Sequence, residues 1–241
     1  MTHARRRALL IFLVIAIVAV TLAFAGSCRE VPGPRPAADR PALLLLTSLP
    51  LMFDEGFSLK GGGSEALRRL QSRYRVEPIS VSSAPELSRG RLLLVAQPLA
   101  QTPENLVALD NWVRGGGRAL LFADPLLEWP SKRPLGDILR PPPMFMDTGL
   151  LAHWGLQLDA PDVRGSAQRR LGGYAVLTVS PGSLRGGCRI SGDRLVARCF
   201  PGKGIATVVA DADLLNPEAL GAGADHNLDG LTEELAALEH R

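Results

Sequence analysis

Three aspartates stand directly after predicted β-strands, at the position where an α/β sheet usually holds its ligands. Asp124 follows the apolar run Ala119–Ala123, and Asp211 and Asp213 follow the apolar run Ile205–Ala210. Because parallel strands present their carboxyl ends at one edge of a sheet, we expect these carboxylates to converge there. Converging carboxylates can bind Mg²⁺ or Ca²⁺, or can raise the pKa of one member for acid–base chemistry. The alternative is that each aspartate caps a turn or a helix.

A second candidate stretch is Asp225–Gly230 (DHNLDG), which matches the first half of an EF-hand calcium loop. The twelfth position of such a loop needs a bidentate glutamate, and here that position is Ala236. We therefore interpret the stretch as the polar, capped start of a helix. The side chains of His226 and Asn227 can still hydrogen-bond a ligand, so both join the three aspartates as ligand-binding candidates.

The first long loop, Ser48–Gly63, adds Asp54 and Glu55 and ends in the glycine-rich Lys60–Ser64 (KGGGS). This order differs from the GxxxxGK[ST] of a phosphate-binding loop, so we interpret the loop as a connector. The sequence contains no G-x-S-x-G, H-E-x-x-H or C-x-x-C motif. We therefore assign no catalytic residue, no metal centre and no cofactor.

The elements that position these residues are organised around one β–α–β unit between Arg91 and Pro125. Its two strands, Leu92–Ala96 and Ala119–Ala123, are uninterrupted apolar runs, as expected for strands covered on both faces of a parallel sheet. Thr102 is suited to cap the intervening helix, and three glycines from Gly115 terminate it. Such crossovers are almost always right-handed, so this unit predicts helices on the faces of a parallel sheet.

Further strands and helices extend this unit into one domain, predicted over residues 42–241. Ala42–Thr47 and Val76–Val81 are predicted strands, and Pro78 places the second near an edge of the sheet. Ser64 caps the helix between them, and Leu228–Leu238 forms a closing helix with leucines on one face. The fold class predicted is α/β, with a doubly wound, mostly parallel sheet of the flavodoxin or amidotransferase type.

A change to period-two patterning predicts a β-hairpin insert at about residues 164–203. Tyr174–Val179, Cys188–Ile190 and Leu195–Phe200 are its predicted strands, with a turn at Pro181-Gly182 and another at Gly192-Asp193. With the second turn centred there, Cys188 faces Ala197 and meets Cys199 only diagonally. A disulfide between Cys188 and Cys199 is therefore a candidate that the register does not require.

The charge balance locates the basic excess at the N-terminus. The net charge of +3 equals the contribution of Arg5–Arg7, and the rest of the chain holds 24 acidic and 24 basic residues. Aromatic residues make up 5% of the chain, and no basic stripe is interleaved with them. These features do not predict a nucleic-acid partner.

The N-terminal segment, residues 1–28, is predicted to target the chain to a membrane. Ala8–Gly26 has no charged residue and is about 28 Å long as a helix, enough to cross a bilayer once. Arg5–Arg7 before it predict a cytoplasmic N-terminus and a periplasmic domain on a bacterial inner membrane. Three interpretations remain open: a single-pass transmembrane anchor, a signal cleaved after Ala25, and a lipoprotein anchored at Cys28. Residues 29–41 are a proline-rich linker.

A family resemblance adds to these patterns. The runs LLLVAQP, TPENLVALDNWVRGGGRALLFADP and IATVVADADLLN, with an Asn before the closing helix, resemble the GldG-like domain over most of residues 42–240. Proteins of that family accompany ABC transporters and gliding-motility systems, and their fold is similar to that of class I glutamine amidotransferases. Those enzymes use a Cys at a strand–helix elbow, where this chain has Gln97-Pro98. The resemblance therefore implies the fold without its catalysis.

Together these features lead to two functional hypotheses of different classes. The first is a membrane-tethered, non-catalytic periplasmic domain that binds a partner, an ABC-transporter subunit or another envelope component. The alternative is a metal-dependent hydrolase or small-ligand-binding protein that uses Asp124, Asp211, Asp213 and His226.

Overall fold

The computed structural model describes residues 32–53 and 63–240 of the chain. The predicted membrane segment, Cys28, Asp54, Glu55 and most of the glycine-rich loop lie outside these ranges. Across the two ranges, none of the helices combines the length and the apolar character needed to cross a membrane.

The elements alternate between strands and helices over the first half of the chain and become strand-rich in the second half. The strands are β1 Ala42–Thr47, β2 Arg75–Pro78, β3 Leu92–Ala96, β4 Arg118–Phe122, β5 Leu156–Asp159, β6 Ser166–Leu171, β7 Tyr174–Val179, β8 Ser183–Gly186, β9 Arg189–Ile190, β10 Val196–Cys199 and β11 Ile205–Val209. The α-helices are α1 Glu65–Gln71, α2 Ala84–Leu87, α3 Pro103–Arg114, α4 Leu150–His153, α5 Pro217–Leu220 and α6 Asn227–Glu239, and short 3-10 turns occupy Ala37–Asp39 and Asp213–Leu215.

A seven-stranded sheet with the order β2-β1-β3-β4-β11-β10-β9 forms the centre of the fold. β2, β1, β3, β4 and β11 are parallel to one another, whereas β10 is antiparallel to both β11 and β9. This arrangement confirms the predicted mixed α/β fold with a mostly parallel sheet. The chain crosses from β2 on one side of β1 to β3 on the other, so the strand order reverses direction at β1.

The central β3–α3–β4 unit forms where the sequence predicts it. All five residues of β3 are buried, and Thr102 Oγ1 accepts a hydrogen bond from Asn105 N at 3.4 Å at the start of α3. Gly116 has a φ of +112°, which ends the helix at low steric cost. Gly117 passes under Trp112, because a Cβ atom at Gly117 would lie 2.4 Å from the indole ring. Local signals are therefore sufficient to define this unit.

The strand pairing predicted for the hairpin insert is wrong. β7 pairs with β6, and β8 pairs with β5, so the turn at Pro181-Gly182 does not join two paired strands. β9 and β10 do form a hairpin, but β10 also pairs with β11 and so adds this hairpin to the central sheet. The physical reason is that β10 is almost entirely buried and gains a covered position beside β11.

The hairpin register also differs from the predicted one. Ala197 pairs with Ile190, which puts Cys199 directly opposite Cys188, and the two cysteines form a disulfide with a Cα–Cα distance of 4.8 Å. The turn is wider than predicted because Ser191 N donates to Val196 O at 2.8 Å and Arg194 adopts a φ of +60°.

Residues from Gly33 onward belong to one compact unit. Arg35 forms a bidentate ion pair with Glu239 at the end of α6, with N–O distances of 2.8 and 3.0 Å. The Arg35 guanidinium also lies over the Tyr74 ring, and Arg118 Nη1 donates to Glu239 O at 2.6 Å. We call this pair the Arg35–Glu239 clasp. It fixes the entry of the chain at the edge where β1 and β4 begin.

Candidate functional site

The three predicted aspartates do converge at the carboxyl ends of β4 and β11, but they are buried. Asp124 Oδ1 accepts a hydrogen bond from Leu126 N, and its Oδ2 accepts one from Ala212 N, both at 2.8 Å. Asp124 thereby ties the segment after β4 to the segment after β11. Both of its oxygens are engaged by backbone amides and face away from solvent.

Asp211 and Asp213 are used in the same way. Asp211 Oδ2 accepts from Val179 N at 2.9 Å and its Oδ1 accepts from Leu214 N at 2.8 Å. Asp213 Oδ2 accepts from Glu128 N at 2.8 Å. The three carboxylates therefore join the ends of β4, β7 and β11, and we call them the aspartate cluster.

Burial of the aspartate cluster shifts its acid–base behaviour. Desolvation raises the pKa of Asp124 to about 6 and the pKa of Asp213 to about 7, although backbone N–H donors oppose the shift. The pKa of Asp211 lies well above its ordinary value, first because the group is buried and then because Asp124 carries a negative charge nearby. Like charges in a poorly solvated site disfavour simultaneous ionisation. The pKa values of the three carboxylates are therefore raised, as the sequence predicts for at least one of them, but the carboxylates are buried.

Gln97 completes the aspartate cluster and was not a candidate from the sequence. Its side chain is fully buried, with Oε1 accepting from Asp124 N at 2.9 Å and Nε2 donating to Asp124 O and Pro142 O, each at 3.2 Å. Its backbone φ is +42°, uncommon for a residue with a side chain. The sequence feature that could have identified Gln97 is its position as a polar residue directly after a strand of apolar residues.

Asn227 and His226 do not share a site. Asn227 is buried, and its side chain accepts from Leu177 N at 2.8 Å and donates to Leu177 O at 2.8 Å and Leu214 O at 3.0 Å. His226 is largely exposed, and its Nδ1 lies 3.0 Å from Asp229 Oδ2. Asn227 begins α6, so the stretch DHNLDG is the start of a helix, and the calcium-loop pattern is coincidental.

The aspartate cluster has a structural role in this geometry. Both oxygens of Asp124 and both of Asp211 accept hydrogen bonds from backbone amides, as does Asp213 Oδ2. Within residues 32–53 and 63–240, no group of three or more His, Cys, Asp or Glu side chains is arranged to hold a metal ion. The arrangement anchors loops to the sheet.

The segment beside the cluster exposes several large apolar side chains. Residues 126–149 cross the carboxyl edge of the sheet, held by the bond from Phe145 N to Asp124 O at 2.6 Å and by the bond from Leu127 N to Pro143 O at 2.9 Å. Leu135 and Ile138 on this segment are 78% and 82% exposed. The exposed apolar residues at this edge, which we call the carboxyl-edge apolar surface, are Leu99, Leu135, Ile138, Leu139, Met144 and Met146.

A crevice of about 460 Å³ adjoins this surface at the ends of β1 and β2. Leu99 and Leu139 line one side, and the hydroxyl-bearing Thr47 and Ser48 lie at the end of β1. Thr47 Oγ1 donates to Ala96 O at 2.8 Å, and Ser48 Oγ donates to Gln97 O, so both hydroxyl groups are already engaged by the backbone. The crevice is therefore mainly an apolar extension of the same surface.

Comparison with known proteins gives a fold likeness and no family. No protein-family profile matches the chain, and no curated protein matches its sequence. A cytoplasmic protein of Salmonella typhimurium LT2 is similar in structure, with a TM-score of 0.50 and 12% sequence identity over 82% of this chain and 99% of that one.

Two glycosidase structures are also similar, at lower scores. An exo-β-1,4-mannosidase from Opitutaceae bacterium strain TAV5 has a TM-score of 0.48 with 14% identity, covering 83% of this chain and 36% of that one. A β-galactosidase from Bacillus circulans sp. alkalophilus has a TM-score of 0.47 with 15% identity, covering 84% of this chain and 31% of that one. The chain thus spans about a third of the length of these glycosidases, and the likeness concerns the fold alone.

Proposed function

We propose that this chain is a membrane-tethered, non-catalytic domain that binds a protein partner through the carboxyl-edge apolar surface. One observation carries the proposal. The polar groups at the strand ends are buried and satisfied by backbone hydrogen bonds, while the surface next to them exposes leucine, isoleucine and methionine side chains. Exposed apolar clusters of this kind mark interaction sites.

The type of fold and the residue at its first strand–helix elbow support a non-catalytic role. The parallel strands follow the doubly wound order 2-1-3-4-5, which is that of flavodoxin-like proteins. We assign the domain to the amidotransferase-like variant on the GldG-like sequence resemblance. Where the amidotransferase elbow carries its nucleophile, this chain has Gln97, whose amide is fully used in holding Asp124 and Pro142.

The proposed location is the periplasmic side of a bacterial inner membrane, with a transporter or envelope protein as the partner. The apolar segment Ala8–Gly26 and the arginines before it support a tether, with lipidation at Cys28 as the alternative. The Cys188–Cys199 disulfide is consistent with an oxidising compartment. Within the described residues, Arg35 lies at the edge of the sheet opposite the carboxyl-edge apolar surface.

The chemistry of the surface also defines the partner. Its exposed side chains are largely aliphatic, and residues 126–149 carry three acidic and three basic side chains. A mainly apolar protein surface complements this pattern, because the buried centre of an interface supplies affinity.

The test is cross-linking of the full-length protein in its own membranes, followed by affinity capture. The variant Leu135→Ser with Ile138→Ser is compared with Val163→Ser, a matched control that is 77% exposed on the loop before β6. We expect wild type and Val163→Ser to capture the same transporter or envelope protein, and the double variant to lose at least 90% of it, about 1.4 kcal/mol. Equal capture by the double variant would refute the proposal.

The hydrogen bonds do not favour the metal-dependent hydrolase alternative. Backbone amides occupy both oxygens of Asp124 and of Asp211 and one oxygen of Asp213, and His226 lies beside Asp229 instead. A thermal-shift series with Mg²⁺ and Ca²⁺ distinguishes the two hypotheses. We expect no stabilisation by either ion, and stabilisation that disappears in Asp213→Ala would instead support the hydrolase.

A further inference from the structure

A second surface feature lies at the opposite end of the sheet, where β4 and β11 begin. It is an open groove of about 540 Å³ between the end of α3, the end of α4 and the β9–β10 hairpin. The groove is within the size range of small-molecule sites. The side chains that line it include Arg114, His153, Arg189 and Phe200, with the Cys188–Cys199 disulfide between them.

The groove carries more positive than negative charge. Its neighbouring carboxylate, Asp110, accepts from Arg114 Nε at 2.7 Å and from Trp154 Nε1 at 2.9 Å. His153 Nε2 lies 3.3 Å from the same carboxylate and 3.2 Å from Arg114 Nη2. Burial raises the pKa of Asp110, but hydrogen bonds from Arg114 and Trp154 outweigh this effect and hold it below its usual value. The negative charge of Asp110 thus balances the positive charge of Arg114. The positive charge of the other arginine in the groove is not balanced by Asp110.

That arginine is Arg189, which has no carboxylate partner among residues 32–53 and 63–240. Its guanidinium lies over the ring of Phe200, 5.6 Å from the centroid. Phe200 is 49% exposed, so part of its ring faces the groove. An arginine placed over an aromatic ring can keep its N–H donors available for an anion.

The disulfide fixes these two groups relative to each other. Arg189 directly follows Cys188, and Phe200 directly follows Cys199. The backbone pairing between β9 and β10 extends over only two residues of β9. The covalent bond therefore contributes much of the constraint that holds the arginine and the ring on one wall of the groove.

From these contacts we propose that the groove binds a small organic oxyanion joined to a flat ring, such as an aryl phosphate. The oxyanion accepts hydrogen bonds from the Arg189 guanidinium, with Arg114 and His153 on the facing wall, and the ring packs against Phe200. This site uses none of the residues of the carboxyl-edge apolar surface, so it is independent of the proposed function.

The experiment measures binding of phenyl phosphate, inorganic phosphate and phenol to the full-length protein in detergent micelles by calorimetry. We expect phenyl phosphate to bind more tightly than phosphate, and phenol to bind at least tenfold more weakly than phenyl phosphate, because the oxyanion supplies the charge-assisted hydrogen bonds. Absence of saturable phenyl phosphate binding, or equal binding of phenol, would overturn the proposal.

Variants separate the two parts of the site. Arg189→Gln is expected to weaken both phosphate and phenyl phosphate by about tenfold or more, whereas Arg185→Gln, an exposed arginine paired with Asp159, leaves both unchanged. Phe200→Leu is expected to remove only the advantage of phenyl phosphate over phosphate. Wild-type affinity in Arg189→Gln, or an equal loss for both probes in Phe200→Leu, would refute the assigned roles.

The disulfide is tested with the double variant Cys188→Ala with Cys199→Ala. We expect this variant to bind phenyl phosphate no more tightly than inorganic phosphate, while its circular dichroism spectrum stays that of the wild type. Unchanged preference for phenyl phosphate in the folded double variant would show that the disulfide does not position the wall.

Discussion

The aspartate cluster predicts that the protein becomes less stable as the pH rises from about 4 to about 7. Asp124 has a pKa of about 6 in the folded protein, against about 3.9 for an unfolded chain. Below pH 4 both states hold the proton, and no penalty exists. Between pH 4 and pH 6 the unfolded chain releases its proton while the folded protein retains it, so the free energy of unfolding falls. Each pKa unit corresponds to about 1.4 kcal/mol, and the two units give a loss on the order of 3 kcal/mol.

The variant Asp124→Asn removes this contribution. Asparagine offers one carbonyl oxygen to the two backbone amides that Asp124 binds, Leu126 N and Ala212 N, so one buried donor loses its partner. That loss costs about 1–3 kcal/mol at any pH. The variant does not ionise, and its neutral side chain also removes a charge that raises the pKa of Asp211 and Asp213. We therefore expect the variant to be less stable than wild type at pH 4 and to recover on the order of 3 kcal/mol relative to wild type by pH 8.

The assay is urea unfolding of both full-length proteins in detergent at half-unit intervals between pH 4 and pH 8. Asp159→Asn is the control, because the hydrogen bond from Arg185 holds the pKa of Asp159 below its usual range. Asp159 therefore contributes its full stabilisation above its unfolded pKa of about 3.9 and loses it only at lower pH, so we expect this variant to differ from wild type by a nearly constant amount between pH 4 and pH 8. A constant difference between wild type and Asp124→Asn across this range would refute the reasoning.

Three further substitutions test other parts of the fold by urea unfolding. Asn227→Ala removes hydrogen bonds to three backbone groups and should lower the free energy of unfolding by roughly 2–4 kcal/mol, and a loss below about 1 kcal/mol would contradict the assigned role. Replacing both Cys188 and Cys199 by alanine frees the closed loop in the unfolded chain and should cost about 3 kcal/mol, so equal stability with wild type would count against it. Gly204→Ala places a Cβ atom 1.9 Å from a backbone oxygen and should cost about 3 kcal/mol, whereas Gly192→Ala, with open space around it, should cost far less.

The central unit could be predicted from the sequence because its signals are local. The apolar runs at Leu92–Ala96 and Ala119–Ala123, the Thr102 cap and the glycines from Gly115 each act within a few residues of where they stand. The positions of the aspartates at the carboxyl edge followed from the topology of parallel strands.

The use of those aspartates could not be predicted in the same way. Whether Asp211 faces solvent depends on Val179 N, which lies 32 residues earlier in the chain, as well as on the nearby Leu214 N. Likewise, β10 pairs with β11, the strand that lies beside β4, and the two-residue period of the sequence does not specify which strand is the neighbour. The disulfide register depended on the width of the turn, which holds four residues between Ser191 and Val196 instead of the predicted two, with Arg194 at a φ of +60°.

The Arg35–Glu239 clasp determines how the fold carries a mechanical load. Tension applied to the chain before Gly33 first loads the Arg35–Glu239 ion pair, which joins the first and last parts of the domain. Arg118 donates a hydrogen bond to the same end of α6. Behind the clasp, β1 lies between β2 and β3 and runs parallel to both. Force along this strand acts across two hydrogen-bonded ladders in shear, so the domain resists tension from its N-terminal side better than it would if the chain entered through an edge strand.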